Sequence, residues 1–314
     1  MDFLVFAGSS NKQLAEGVVS HLGMKLGDSL ITKFSDGEIF VRINETVRGR
    51  DVFMIQSTNA PAEVHMMELM MMTDALKRAS AKSLTAVMPY FGYARQDRST
   101  EPRVPITAKL VANLLVRSGI DRVVTMDLHA GQVQGFFDIP VDNLYFMTVL
   151  VDYLKRHYPC VDDTCVVVSP DAGGVARARV LAKHLGCPLA MVDKRRTAPN
   201  VAEAMNVIGD VAGKKAIIVD DIIDTAGTLT QAAAAIKKNG AIGVIACASH
   251  GVLSGPARER IDNSDLEAVL VSDSIVIPPN VTMSKKIKRL SVSGLLATAI
   301  ERIYKKESIS SLFD

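Results

Sequence analysis

No G-x-G tripeptide occurs anywhere in the 314-residue sequence, which removes the glycine fingerprint of a dinucleotide-binding turn. "GDVAGKK" is no substitute for a Walker A loop, because it lacks the full glycine spacing and the Ser or Thr after lysine, and it precedes a strand. No apolar run approaches the roughly 18 residues of a membrane span, and no basic leader stands ahead of "MDFLVFAGSS". Excess charge is also missing. Lys plus Arg number 36 against 34 Asp plus Glu, a formal net charge of +2, so bulk electrostatics argue for neither nucleic acid nor a membrane surface. A basic helix-turn-helix segment is absent as well. The four cysteines, Cys160, Cys165, Cys187 and Cys247, have no paired CxxC spacing and sit in or beside apolar stretches. They read as free buried thiols, with a reducing cytosol as the expected location. No linker rich in Pro, Gly or Ser divides the chain.

What is present is 48% hydrophobic residues, enough to fill a substantial core, in an alternation of short Val- and Ile-rich runs with longer segments of helical period. That alternation predicts βα units around parallel sheet. Buried strands are expected at "FLVFAG", "VFMIQS", "SLTAVMPY", "RVVTMDL", "TCVVVSP", "AIIVDD", "GVIACASH" and "LEAVLVSD". Helices are expected at Glu63 to Ala79, "ITAKLVANLLVRSG", "GVARARVLAKHLG" and "GTLTQAAAAIKKNG". Within the first helix Met66, Leu69, Met70 and Thr73 share one face, which predicts core packing or a subunit interface in preference to a methionine metal site. "VMPYFGYARQDR" echoes "VVSPDAGGVARAR", and "VVTMDLHAG" echoes "AIIVDDIIDTAG". Two copies of one α/β unit, joined near Asn143 to Val151, follow from that echo.

The stretch "AIIVDDIIDTAGT", Ala216 to Thr228, sets a buried strand against three acids and a small-residue turn. In open α/β sheets ligands bind beyond the carboxyl ends of strands, where a following helix offers free backbone N–H groups to an anion. Asp224, Thr225, Ala226, Gly227 and Thr228 suit a phosphate: small residues admit backbone approach and two threonines supply hydroxyls. Asp220 and Asp221 cannot hold phosphate, but carboxylates accept from sugar hydroxyls and ligate magnesium. A phosphorylated sugar satisfies both ends of the stretch. Three acids beside a phosphate also imply compensating divalent cation.

This segment resembles the phosphoribosyl diphosphate loop of the type I phosphoribosyltransferase fold. "FSDGEIFVRINETVRG", "PYFGYARQDR", "VPITAKLVANLL", "TMDLHAGQVQGFFDIPVDNL", "SPDAGGVARA", "DKRR", "NVAEAMNVIGDV" and "LSGPARERI", in that order, resemble the ribose-phosphate diphosphokinase family, in its phosphate-regulated class. The resemblance runs from the first strand to the C-terminal "ESISSLFD". It implies an α/β architecture of two tandem phosphoribosyltransferase-like domains, each a mainly parallel sheet flanked by helices. The expected domains are residues 1–146, with a tail at about 295–314 packing on them, and 147–294.

The implied reaction moves the diphosphoryl group of ATP onto the 1-hydroxyl of ribose 5-phosphate, giving 5-phosphoribosyl 1-diphosphate and AMP for nucleotide, histidine and tryptophan biosynthesis. By resemblance, Asp220, Asp221 and the loop Asp224 to Thr228 hold ribose 5-phosphate, and Lys194 and Arg196 belong to a mobile catalytic loop. Arg95, Gln96 and Asp97 contact ATP, as does His129. His129 and Asp171 meet the magnesium that ATP carries. Phe34, Asp36 and Glu38, in a turn of hairpin character, reach a neighbouring subunit's adenine in a homohexamer of dimers. Inorganic phosphate is the implied activator and ADP the inhibitor. Arg48, Arg78, Ser80, Arg103, Ser308 and Ser310 are the candidate anion contacts for that control.

Three departures from the family pattern stand out. "STEPRV" places Glu101 where basic residues are usual, which predicts weakened phosphate control. "YFMTVL" lacks a usual proline, and Gly251 replaces another in "SHGVLSG". Two alternatives share part of the pattern: a phosphoribosyltransferase consuming phosphoribosyl diphosphate, and a non-catalytic regulatory relative. The first would not be expected to carry "FSDGE", "YARQDR" and "DKRR" together, and the second typically loses the catalytic loop.

Overall fold

The protein is described here by a computed structural model covering residues 2–158, 164–195, 204–277, 279 and 281–312. It divides into two compact units: Met1–Tyr145 with Ser274–Val276 and Ser291–Asp314, and Phe146–Asp273 with Ile277–Leu290.

The first unit is built on a five-stranded parallel sheet in the order β1 (Phe3–Ala7), β4 (Asp51–Ile55), β5 (Ser83–Met88), β6 (Arg122–Met126), β7 (Val141–Leu144). Its crossovers include α1 (Lys12–His21), α2 (Ala62–Arg78) and α3 (Thr107–Ser118), and α8 (Ser293–Lys305) returns to pack beside α1. Asn11 caps α1 by accepting from the Leu14 N–H at 3.2 Å. On α2 Met66, Leu69, Thr73 and Leu76 are buried at helical spacing with Met54 and Met88 of the sheet, so the methionine-rich run is core. An antiparallel hairpin, β2 (Ser29–Lys33) with β3 (Ile39–Ile43), stands apart from the main sheet.

The second unit opens with α4 (Met147–His157). Its seven-stranded sheet runs β10 (Ala204–Ile208), β9 (Leu189–Arg195), β8 (Cys165–Ser169), β11 (Lys215–Ile223), β12 (Gly243–Gly251), β13 (Ala268–Ser272), β14 (Ile287–Leu290). Only the β9–β10 pair is antiparallel. β8, β12 and β13 are buried along their whole length, the signature of strands covered on both faces, and this is why they read as unbroken apolar runs. Alternate residues Val166, Val168, Ala216, Ile218, Val244 and Ala246 join Leu229, Ala232, Ala233 and Ile236 of α6 (Gly227–Lys238) in one core. α5 (Val175–Leu185) and the short α7 (Ala257–Asp262) complete the unit.

All eight expected strands and all four expected helices are present, with ends shifted by a residue or two; the first helix, for example, is Ala62–Arg78 in place of Glu63 to Ala79. One expectation fails. Cys165 is disulfide-bonded, whereas Cys187 and Cys247 are in no disulfide. Apolar surroundings foretell burial, but a bridge depends on the separation of two Cβ atoms, which no local pattern encodes. Among the described residues no helix is long and apolar enough to cross a membrane.

Candidate active site

The acids of "VDDIID" lie in an extension of β11 past its pairing with β8: Ile218 is the last residue registered against β8, while Asp220, Ile222 and Ile223 remain registered against β12. The chain then turns through Asp224, Thr225 and Ala226 into α6. Ala226 adopts the left-handed region at φ 58°, a strained place for a residue with a Cβ, and Gly227 starts the helix. Thr225 and Thr228 are exposed while Ala226 is buried, so the turn lies at the surface.

Two side chains from the next crossover brace this turn. Ser254 Oγ donates to Asp224 Oδ1, and Arg260 Nη1 of α7 donates to the Thr225 carbonyl at 3.0 Å. A methyl group added at Gly227 would lie 3.1 Å from that same Arg260 nitrogen, so glycine is what lets the guanidinium sit close beneath the loop. Both residues lie in "LSGPARERI", where nothing local marks either for this contact.

The neighbouring strand end supplies a second loop. Asp171 follows β8, and its Oδ1 accepts from the Gly174 N–H at 3.0 Å while its carbonyl accepts from Ser169 Oγ at 2.6 Å. A Cβ on Gly174 would come 2.8 Å from Ser169 Oγ, which is buried. Arg177, in the first turns of α5, reaches both Asp220 Oδ1 at 3.4 Å and Asp221 Oδ1 at 3.3 Å. Burial first, and then the apposed Asp221 carboxyl, push Asp220 up to about 7, against the pull of the Asp221 N–H and Arg177. Lys194 lies in β9, registered against Met205 of β10, so its backbone belongs to a strand where a loop was expected. Arg196 is outside the described residues.

In the first unit the site candidates again gather at carboxyl ends of strands. Arg95, Gln96 and Asp97 follow β5 and His129 follows β6; the Gln132 amide donates to Asp97 Oδ2 at 2.8 Å and ties the two loops together. Asp127, at φ 42°, redirects the chain just before an exposed His129. Phe34, Asp36 and Glu38 lie elsewhere, at the tip of the β2–β3 hairpin. There Glu38 N–H donates to Asp36 Oδ1 at 3.0 Å, and Phe34 is 55% exposed with its ring edge-on to Phe40. Arg48 and Ser80 are brought together by the Gly49 N–H to Ser80 carbonyl bond of 2.9 Å. Arg78 is nearby in sequence but pairs with Asp74 at 2.7 Å. Arg103 is exposed at φ 68°, and Ser308 and Ser310 lie after α8, where Arg302 donates to the Ser308 carbonyl at 2.9 Å.

No three His, Cys, Asp or Glu side chains cluster as a metal site among the described residues.

Mainly parallel sheets flanked by helices, with an acid pair and a small-residue turn at one strand end, define an open-sheet α/β protein. A family model described as the N-terminal domain of ribose phosphate pyrophosphokinase matches residues 3–119, and one described as a phosphoribosyl synthetase-associated domain matches residues 189–314. Curated ribose-phosphate pyrophosphokinases are similar over almost their whole length. That of Agrobacterium fabrum is 54% identical over 99% of both chains, and that of Campylobacter jejuni is 55% identical, again over 99% of both. That of Bacillus caldolyticus is 55% identical over 99% of this chain and 97% of the relative. The crystal structure of phosphoribosylpyrophosphate synthetase from Mycobacterium smegmatis superimposes with a TM-score of 0.91 at 41% identity, covering 98% of this chain and 100% of that one. The chain belongs to the ribose-phosphate pyrophosphokinase family, and its fold is two tandem phosphoribosyltransferase-like domains.

Proposed function

We propose that the chain transfers the diphosphoryl group of ATP to the 1-hydroxyl of ribose 5-phosphate, yielding 5-phosphoribosyl 1-diphosphate and AMP. The observation that carries this reading is the β11–α6 turn, an outward anion loop directly after two acids, in a chain that matches curated members of the family end to end. Thr225, Thr228 and the N–H groups of the turn take the 5-phosphate, and Asp220 and Asp221 accept from the sugar hydroxyls. The anomeric oxygen displaces AMP at the β-phosphorus and loses its proton, so no protein nucleophile is required. Lys194 and Arg196 stabilise charge on the transferring group, worth most once water is excluded. Arg95, Gln96 and Asp97 bind ATP, and Phe34, Asp36 and Glu38 hold adenine across a subunit boundary in a hexamer of dimers.

His129 and Asp171 hold the magnesium of the nucleotide, which supplies neutralisation of phosphate charge. Phosphate activates and ADP inhibits, through Arg48, Arg78, Ser80, Arg103, Ser308 and Ser310. The proposed domains are residues 1–146, with the tail at about 295–314 packing on them, and 147–294. The test is to incubate the protein with ribose 5-phosphate, ATP and magnesium and to follow both products. AMP and phosphoribosyl diphosphate appearing in equal amounts is the expected result. A folded, ATP-binding protein that forms no AMP at any phosphate concentration would instead favour the regulatory relative.

A further inference from the structure

We propose that Arg177 is a positioning residue for ribose 5-phosphate, holding the Asp220 and Asp221 carboxylates together so that both face the sugar. The proposal rests on the reading of the β11–α6 region as the ribose 5-phosphate site. Side chains at successive strand positions ordinarily point to opposite faces, which would send the two carboxylates apart. Here one guanidinium nitrogen touches both, at 3.4 Å from Asp220 Oδ1 and 3.3 Å from Asp221 Oδ1. The Asp221 N–H also donates to that Asp220 oxygen at 2.9 Å, so the first oxygen is held from two directions.

The arrangement is sheltered. Arg177 is 23% exposed in its side chain and Asp221 only 7%, so the ion pair is screened less than a surface pair. Two acids this close repel each other, and a cation between them removes the repulsion. A guanidinium nitrogen holds its two N–H donors in a fixed plane and its charge does not titrate, whereas an ammonium is a rotating, strongly hydrated point charge. Arg177 also starts three residues after Gly174, on the helix that the Asp171 loop feeds, so the ends of β8 and β11 are mechanically joined through it.

The experiment compares wild type, Arg177→Met, Arg177→Lys, Asp220→Asn and the Arg177→Met, Asp220→Asn double variant. KM for each substrate is measured, together with calorimetric binding of ribose 5-phosphate in the presence of a non-hydrolysable ATP analogue. Arg177→Met is expected to weaken ribose 5-phosphate by at least about tenfold, the scale of a lost charge-assisted bond, while KM for ATP moves by less than about twofold. Arg177→Lys recovers part of the loss, and the double variant loses less than the product of the singles because both act through one pair. Equal loss for both substrates would mark Arg177 as merely structural and overturn the proposal, as would unchanged ribose 5-phosphate binding. Should Arg177→Met fail to fold, the Lys variant carries the comparison, with a loss confined to ribose 5-phosphate expected and no loss overturning the proposal. Wild-type protein that binds ATP but no ribose 5-phosphate would remove the site reading itself, a result distinct from either.

Discussion

Asp220 carries an unusual load for one carboxyl. Burial and the adjoining Asp221 push it up to about 7, so near neutrality it is divided between a form that accepts from hydroxyls and one that does not. The sign follows directly. Because the folded value exceeds the ordinary carboxylate value, the substrate-free protein binds this proton more tightly than the unfolded chain, and stability from this group falls as pH rises from about 4 to about 7. On the proposed reading ribose 5-phosphate binds the ionised form, so its affinity should move the other way. KM for ribose 5-phosphate should fall as pH rises toward 7 and level above it, whereas in Asp220→Asn only the inflection of the sugar phosphate itself, near about pH 6, should remain. A wild-type profile with that single inflection would show that Asp220 does not titrate in the working range.

At the scale of elements, the loops are set by what lies beneath them. α6 buries Leu229, Ala232, Ala233 and Ile236 against the sheet and so fixes where its first turn, and the anion loop before it, must sit. Ile236 is fully buried, so Ile236→Ala should destabilise the protein by about 2–5 kcal/mol, read as a lowered Tm or denaturation midpoint. Since Ile236 lies about two turns from the loop, KM of the folded fraction should stay within about twofold, which steady-state assays at low temperature would check. A large rise in KM with little loss of stability would instead mean that the helix tunes the loop rather than merely supporting it. The hairpin β2–β3 works differently, since its tip, with Phe34 55% exposed, is held by bonds within the turn and not by a core.

For the whole molecule, that exposed tip fits a function completed by assembly. Light scattering should find a hexamer, and Phe34→Ala should raise KM for ATP several-fold, about the effect of losing one aromatic stacking contact, without altering ribose 5-phosphate binding. Phosphate control belongs to the same scale. Glu101 in "STEPRV" and the Arg78–Asp74 pair both subtract positive charge from the candidate anion contacts, so activation by phosphate should be shallow. A steep rise of rate with phosphate concentration would refute that.

Much of this was legible in the sequence, for reasons that can be named. Buried parallel strands such as "CVVVS" must be continuously apolar, and the turn "DTAGT" must be small where backbone meets an anion, so period and turn chemistry locate both without any partner. Short or half-exposed strands such as β7 (Val141–Leu144) and β14 (Ile287–Leu290) carry no such pattern and took their place from their neighbours. The strand pairing of Lys194 was likewise decided by contacts across the sheet. The sequence by itself determined eight of the strands, four of the helices, the small-residue turn after β11 and the family, because each is written in consecutive residues. Only the tertiary structure decided that Arg177 meets Asp220 and Asp221, that Arg260 braces Thr225, and that Asp220 is buried enough to hold its proton near neutrality, because each depends on groups tens of residues apart meeting at neighbouring strand ends.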